Sequence, residues 1–491
     1  MKKNLKIVSI SSEVDPYSKT GGLADVARSL PKSLFRLGHQ VIIITPFYEK
    51  VIDQGAYKLD KIYSDVSLYM DSGSEIKVAY YRTELVPGLS VYFVGNEKYF
   101  SRRKQIYGSD HENARFYVFS VAALKLISLL KFDADIIHCH DWHTGLIPHL
   151  KKTRFKDSHT LAKAATVYTI HNLVFQMGRP WWEVSSKNKD NGKKALPLLS
   201  DHSLEYFNFA KRGILEADVI NTVSETYAQE IMAKDFGQDL HRILLNRRHK
   251  LFGVVNGIDY KNYNPKTDRG LYKNYTPDKI DLKLLNKRYL QKFYHLPVKD
   301  NIPLLGFTSR IAEQKGLDLI VEILPTLLLR DVQFIIMGDG DKEYINKIKK
   351  IQRRFPSKLV CVSFDRKMET SVYAGGDMFL LPSRFEPCGI NQLISFRYGC
   401  VPIVRSIGGL SDTVVNFDPE TNSGNGFTFK HYNASEFLVA VTRALETYKY
   451  KTAWKKVIRN GMDVSFSWDL PAIKYVQLYK RAIKFKKENG K

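Results

Sequence analysis

Short apolar runs alternate with helical patterns twice along this chain, and that alternation constrains the fold more than any other feature. In the first half, Leu5 to Ile10, Gln40 to Thr45, Asp135 to His140, Ala165 to Ile170 and Val219 to Val223 read as buried strands. A second series follows residue 300: Pro303 to Thr308, Val332 to Met337, Leu359 to Phe364, Met378 to Leu381 and Val401 to Val404. Continuous apolar strands separated by helices specify parallel sheets covered on both faces, because a crossover helix is what returns the chain to the same end of a sheet. At 491 residues the chain exceeds what one hydrophobic core can hold. The expected fold is therefore α/β, with two doubly wound Rossmann-like domains. The sequence predicts a first domain over 1–265, a hinge over 266–300, a second domain over 301–469 and a terminal helix over 470–491. Ligands of open α/β sheets bind beyond the carboxyl ends of the strands, so two domains facing across a cleft, closing to exclude water, are expected.

Charge and cysteine usage narrow the class. The 75 Lys and Arg against 51 Asp and Glu give a formal charge of +24. The surplus lies on helix surfaces such as Tyr344 to Arg354 and in loops, without a zinc-finger, helix-turn-helix or RNP pattern, so no nucleic-acid partner is expected. Val118 to Phe132 is interrupted by Lys125 and Lys131 and reads as an amphipathic helix, well short of the roughly 18–20 apolar residues of a membrane span. Lys2, Lys3 and Lys6 precede only a few apolar residues before Ser11, Glu13 and Asp15, which argues against a secretory signal. Cys139, Cys361, Cys388 and Cys400 show no metal or redox spacing and suit a reducing, cytoplasmic location.

The chemistry is expected in the loops after strands. Lys19-Thr20-Gly21-Gly22-Leu23-Ala24-Asp25-Val26 follows the first strand and opens a helix ending near Gly38. Two glycines there let backbone approach an anion, with the helix dipole behind it. A tight turn needs glycine for steric reasons alone, so both readings stand at this point. His138, His140, Asp141 and His143 crowd one strand end; without a fourth ligand at a familiar spacing they read as sugar or acceptor contacts from Asp141 and His143, with His138 in the core. His171 and Asn172 end the next strand, and the amides of Asn172 and Gln176 suit hydroxyl recognition. Two Asp-x-Asp sequences, Asp133 to Asp135 and Asp339 to Asp341, read as turn and cap residues. Polar Ser185 to Lys194 reads as a mobile loop. In the second half Ser309 to Gly316 carries Arg310 and Lys315, which suit a diphosphate. Pro382 to Gln392 carries one carboxylate, Glu386, and Ser406 to Thr413 supplies Gly408-Gly409.

These motifs resemble, in order and spacing over nearly the whole chain, the bacterial and plastidial glycogen and starch synthases, retaining glycosyltransferases of the GT-B fold. The carriers are KTGGLADV, Asp141-Trp142-His143, His171-Asn172, KRGILEADVINTVSETYAQEI from Lys211, Asn256-Gly257-Ile258-Asp259, SRIAEQKG, SRFEPCGINQ, GGLSDTV and Phe466-Ser467-Trp468. The resemblance implies transfer of glucose from ADP-glucose to the non-reducing 4-OH of an α-1,4-glucan (glycogen or a maltooligosaccharide) with retention, without metal or other cofactor and away from any membrane. It implies an acceptor-side first domain, a nucleotide-sugar-binding second domain, and a C-terminal helix returning to the first. By the same resemblance Arg310 and Lys315 neutralise the leaving diphosphate, Glu386 binds glucose hydroxyls, His171 sits against the reacting sugar and Asp141 touches sugar or acceptor. Lys19, Gly21, Gly22, Asn172, Asn256, Ser309, Cys388, Gly389, Asp412 and Thr413 complete the expected donor site. This chain departs from the family pattern at Asn391 and Ile407, where Thr is usual, at Met177, where Gly is usual, and at Ile394, where many related transferases carry a second Glu. The rival readings are a related transferase using UDP-glucose or another acceptor, and a glucan-binding protein without activity. The sequence leaves the oligomeric state open.

Overall fold

A computed structural model describes residues 4–70 and 73–489. The described residues form two compact units, one of those up to 254 together with those from 468 onward, and one of residues 255–467.

The first unit is built on nine strands: β1 (Lys6–Ile10), β2 (Gln40–Pro46), β3 (Asp60–Tyr69), β4 (Glu75–Val86), β5 (Leu89–Gly95), β6 (Ile136–His140), β7 (Ala165–Ile170), β8 (Val219–Thr222) and β9 (Leu251–Gly253). Their order is β3-β4-β5-β2-β1-β6-β7-β8-β9. The antiparallel β3-β4-β5 meander continues a parallel sheet. Alternate residues of β1 feed opposite faces, as the two-residue strand period requires. Val8 and Ile10 pack with the helix Glu112–Leu129, and Leu5 and Ile7 with the helices Gly22–Arg36 and Asp469–Asn489. The C-terminal helix thus belongs to the first unit: Ala472, Tyr475, Leu478, Tyr479 and Ala482, spaced as one helical stripe, are buried against this face.

Two readings of this unit are corrected. The helix Glu112–Leu129 is buried on nearly every face, with Lys125 at its partly exposed edge, so it is a core helix and not an amphipathic one. The stretch 185–194 is held by a buried ion pair, Asp190 accepting from Arg212 Nε and Nη2 at 2.9 and 2.7 Å, so it is tied down and not loose. Among the described residues no helix is long and apolar enough to cross a membrane.

The second unit carries an all-parallel sheet of β10 (Leu304–Thr308), β11 (Gln333–Met337), β12 (Leu359–Val362), β13 (Met378–Leu381), β14 (Val401–Arg405) and β15 (Phe427–Phe429), in the order β12-β11-β10-β13-β14-β15. The stretch 266–300, read as a hinge, is part of this unit, and the boundary lies at 254/255 instead of 265. The reason is polar anchoring that resembles surface charge in the sequence. Lys283 is buried and donates to the carbonyls of Tyr373, Ala374 and Tyr398, Tyr275 donates to Tyr398 O, and Lys287 pairs with Asp377 at 2.7 Å.

Candidate functional site

In an open parallel sheet the ligand crevice forms where the chain leaves one strand toward one side and the neighbouring strand toward the other. The first unit has that point between β1 and β6, and the second between β10 and β13. The loops carrying Lys19, Asp141, His171, Lys315, Glu386 and Gly408 leave those strands or their neighbours, whereas Asn256 follows β9.

In the first unit, the loop after β1 presents Lys19, Thr20, Gly21 and Gly22 at the surface. Gly21 is extended (φ −157°) and no atom lies within 4 Å of a Cβ built on Gly21 or Gly22. Neither backbone strain nor packing therefore requires this glycine pair, which weakens the steric reading; Gly21 is the N-cap of the helix, and the backbone of both glycines is open to solvent. Lys19 Nζ pairs with Asp25 at 2.6 Å. The loop is held from below by Glu13, which sequence reasoning passed over: its buried carboxylate accepts from Thr20 N–H at 2.5 Å and Thr20 Oγ1 at 2.9 Å. Burial pushes the Glu13 carboxyl up to about 7, against the pull of the Thr20 bonds.

The loop after β6 carries Asp141 in the left-handed region (φ 56°), aiming its carboxylate across β7 to accept from the His171 N–H at 2.7 Å. Burial raises this carboxyl to about 7, and the His171 and Asn172 amides pull the other way. His171 and His140 share a hydrogen bond, Nε2 to Nδ1, at 3.0 Å. His138 commits both ring nitrogens, to Tyr479 OH at 2.9 Å and Thr169 Oγ1 at 2.7 Å, and is a core residue. His143 is buried against Tyr107, Phe116 and Trp142, its Nδ1 unpartnered. Tyr107 bonds Ser12 Oγ at 2.8 Å, a contact across 95 residues with no local sequence signal. Asn172 closes a turn, its Oδ1 accepting from Val174 N–H. Gln176, expected beside Asn172 as a sugar contact, is instead consumed in the scaffold: it donates to Gln238 O and accepts from Asn208.

In the second unit the loop after β10 brings Lys315 to Glu386, Nζ to Oε2 at 2.6 Å, and Ser383 Oγ donates to the same oxygen at 3.1 Å. Glu386 and Ser383 are buried. Gly316 makes this crossing possible: at φ +74° its Cβ would stand 2.1 Å from Pro382 O. Gly409 likewise lies against Cys388 O, where a Cβ would stand at 2.0 Å, and its N–H donates to Glu386 O at 3.1 Å. Arg310 is exposed, touching Gln314 Oε1 at 3.3 Å, so it is not brought onto Glu386. Ser309 is half-buried at the root of that loop, its N–H donating to Met337 O.

Asn256 hydrogen-bonds the buried Cys388 sulfur, whose thiol burial pushes up to about 12, and Asn256 Oδ1 is buried without a partner. Gly389 sits in the left-handed turn before Gln392. Thr413 faces inward, donating to Gly409 O at 2.7 Å and accepting from Gln392 at 3.2 Å, so its hydroxyl holds the loop. Asp412, next to it, is exposed. Asn391 donates to Thr308 O at 2.7 Å, a strand-end anchor that accounts structurally for this departure from the usual Thr. Asp341 caps the helix Lys342–Arg354, accepting from Glu343 N–H, whereas Asp339 and Asp135 accept from the distant Phe364 and Lys6 N–H groups and so tie neighbouring strands together. Among the described residues no three His, Cys, Asp or Glu side chains group to hold a metal ion.

The two kinds of glycine separate by experiment. Gly316→Ala is expected to cost about 2–4 kcal/mol through overpacking and backbone strain, read as a fall in Tm. Gly21→Ala, in open space at a helix N-cap, is expected to cost no more than about 1 kcal/mol.

Comparison with known proteins follows the same division. Residues 6–246 match the family model described as the starch synthase catalytic domain, and residues 291–461 that of glycosyl transferases group 1. A glycogen synthase of Thermosipho melanesiensis is 42% identical over 487 residues, 98% of this chain and 99% of the relative. One from Geotalea daltonii is 40% identical over 485 residues, 97% and 98% of the two chains. Among solved structures, the catalytic domain of starch synthase IV from Arabidopsis thaliana, bound to ADP and acarbose, is 33% identical with a TM-score of 0.86, covering 98% of this chain and all of that one. Sucrose-phosphate synthase from Thermosynechococcus elongatus, at 17% identity and a TM-score of 0.60 over 97% of this chain and 99% of its own, shares the fold.

Proposed function

The chain belongs to the glycogen synthase family and is a glucosyltransferase, and from that premise we propose that it moves glucose from ADP-glucose to the non-reducing 4-OH of an α-1,4-glucan with retention. The observation that carries this reading is the Ser383–Glu386–Lys315 cluster at the β10/β13 crevice. A carboxylate suited to sugar hydroxyls and an ammonium suited to phosphate meet there, held by glycine contacts that no other residue fits. The ADP bound to the Arabidopsis relative supports an adenosine diphosphate leaving group.

Each role follows from where charge develops. Cleavage of the anomeric C–O bond places negative charge on the departing diphosphate and oxocarbenium character on the sugar, so fixed cations gain most in the transition state. Lys315 is prepositioned for that charge, and exposed Arg310 offers a mobile planar fork for the same oxygens. Glu386 binds glucose hydroxyls, with Asn256, Ser309, Cys388, Gly389, Asp412 and Thr413 shaping the donor loops around it. In the first unit Lys19 with the open Gly21-Gly22 backbone takes donor phosphate or sugar, and His171, Asn172 and Asp141 take sugar or acceptor. Double displacement through a covalent intermediate needs a nucleophile beside a second acid or base. Glu386 is the single carboxylate in its loop, and Ile394 stands at the position of the second Glu in related transferases. Same-face displacement, with a diphosphate oxygen taking the acceptor proton, fits these residues.

The test is nucleotide release from ADP-glucose and from UDP-glucose with and without a glycogen primer. Primer-dependent ADP release with far weaker use of UDP-glucose is expected. A preference for UDP-glucose would reassign the donor, and release independent of primer would remove the glucan as acceptor.

A further inference from the structure

Behind His171 lies a polar chain that the reaction outlined above does not use. Ser9 Oγ lies 3.2 Å from His140 Nε2, and His140 Nδ1 lies 3.0 Å from His171 Nε2. Ser9 and His140 are buried, and the His138 ring, 4.0 Å from that of His140 and tethered to Tyr479 and Thr169, holds the His140 ring in place. Burial lowers the pKa of both His140 and His171, so each imidazole is neutral and carries one N–H.

That leaves two proton arrangements. In one, Ser9 donates to His140 Nε2, His140 Nδ1–H donates to His171 Nε2, and His171 carries its proton on Nδ1. In the other every bond reverses, and Ser9 Oγ accepts from His140. Among the described residues the hydroxyl of Ser9 has His140 as its hydrogen-bonding partner and no other. Reversal would therefore strand a buried hydroxyl proton, a cost of about 1–3 kcal/mol. The first arrangement avoids that cost.

We propose that Ser9 and His140 are positioning residues that fix His171 as the Nδ1–H tautomer, so that His171 presents a hydrogen-bond donor, and not a base, to a sugar oxygen. This rests on the reading that His171 faces the reacting sugar. The consequence for mechanism is definite: a neutral Nδ1–H stabilises an oxygen gaining charge and cannot accept the acceptor's proton, so His171 is not the base of the reaction.

Long-range proton–nitrogen NMR correlations on the intact protein, labelled at histidine nitrogen and assigned with His140→Asn and His171→Asn, read the tautomers directly. Protonation of both His140 and His171 on Nδ1 is expected in the wild type near neutral pH; protonation of His171 on Nε2 overturns the proposal whatever the activity. Ser9→Ala is expected to give His171 a mixed tautomer signature and to lower kcat about tenfold with the donor KM within about twofold, while Ser9→Thr keeps both near wild type. Ser9→Ala with an unchanged His171 signature overturns the relay. His171→Asn with wild-type turnover overturns the sugar-facing reading on which it rests, separately from the spectrum.

Discussion

Lys315→Ala is expected to lower kcat with ADP-glucose by about a hundred- to a thousandfold, the range for removing one fixed group that meets developing charge. Two effects combine in that substitution. The ammonium sits 2.6 Å from Glu386, and the pair is mostly buried, with side-chain exposures of 15% and 8%. Removing one partner leaves Glu386 with the Ser383 bond alone, a destabilisation of at most about 3–5 kcal/mol for a broken buried pair. Loss of folded protein and loss of leaving-group stabilisation would both reduce activity, and kcat per folded molecule, measured well below the Tm of the variant, separates them. A kcat per folded molecule near wild type would mean that Lys315 acts through the fold alone. In Lys315→Ala/Glu386→Gln the stranded charge is gone, so Tm should recover toward wild type; Glu386 itself binds glucose hydroxyls, so this variant reads stability and not turnover. Lys315→Arg should keep Tm near wild type and still lose activity, because the guanidinium replaces a compact point charge with a broader fork in a site closed by Gly316.

How much of this was legible in the sequence depended on the distance over which each feature is encoded. Buried parallel strands such as β1, β6, β10 and β13 announce themselves as continuous apolar runs, and the loops after them carry the motifs. β3 and β4 were missed because their half-exposed faces lack such runs, β9 and β15, three residues each, are too short to carry a period, and β5 was missed although it is a buried apolar run of the same kind as β1. Lys283 and Lys287 are buried anchors that no local pattern distinguishes from solvated lysines, which is why the stretch 266–300 reads as a hinge in the sequence and belongs to the second unit in the structure. Glu386 and Lys315 were each visible as a motif residue, but their 2.6 Å contact spans 71 positions. Ser9 and His140 are separated by 131 positions, and a lone serine within an apolar strand gives no reason to look for a histidine. The Gly21-Gly22 turn is the converse case. Its composition was plain, yet only the open space above it shows that packing does not require its glycines.

Asp141→Asn is expected to separate stability from activity as a function of pH. The folded carboxyl titrates at about 7 because burial disfavours its charge, against an unfolded value near 4. Between those values the native state holds the proton more often than the unfolded state does, so this group makes stability fall as pH rises, by up to about 1.4 kcal/mol per pH unit. Glu13, also raised to about 7, adds a slope of the same sign. Asn removes the Asp141 contribution while its amide oxygen can still accept from the His171 N–H. The Tm of the variant should therefore exceed that of the wild type by a margin that grows from pH 4 to pH 7 and then levels. Activity should move the other way. With the carboxylate as the form that engages sugar or acceptor, wild-type kcat/KM should rise through about pH 7, whereas Asp141→Asn should be about a hundredfold slower and lack that rise. Glu13→Gln controls for the second carboxyl: it should remove part of the stability slope and retain the rise in kcat/KM. Wild-type activity in Asp141→Asn at pH 8 would reduce Asp141 to a brace for the His171 backbone. A Tm margin that shrinks as pH rises would show that its carboxylate, and not its neutral acid, is the form the fold favours.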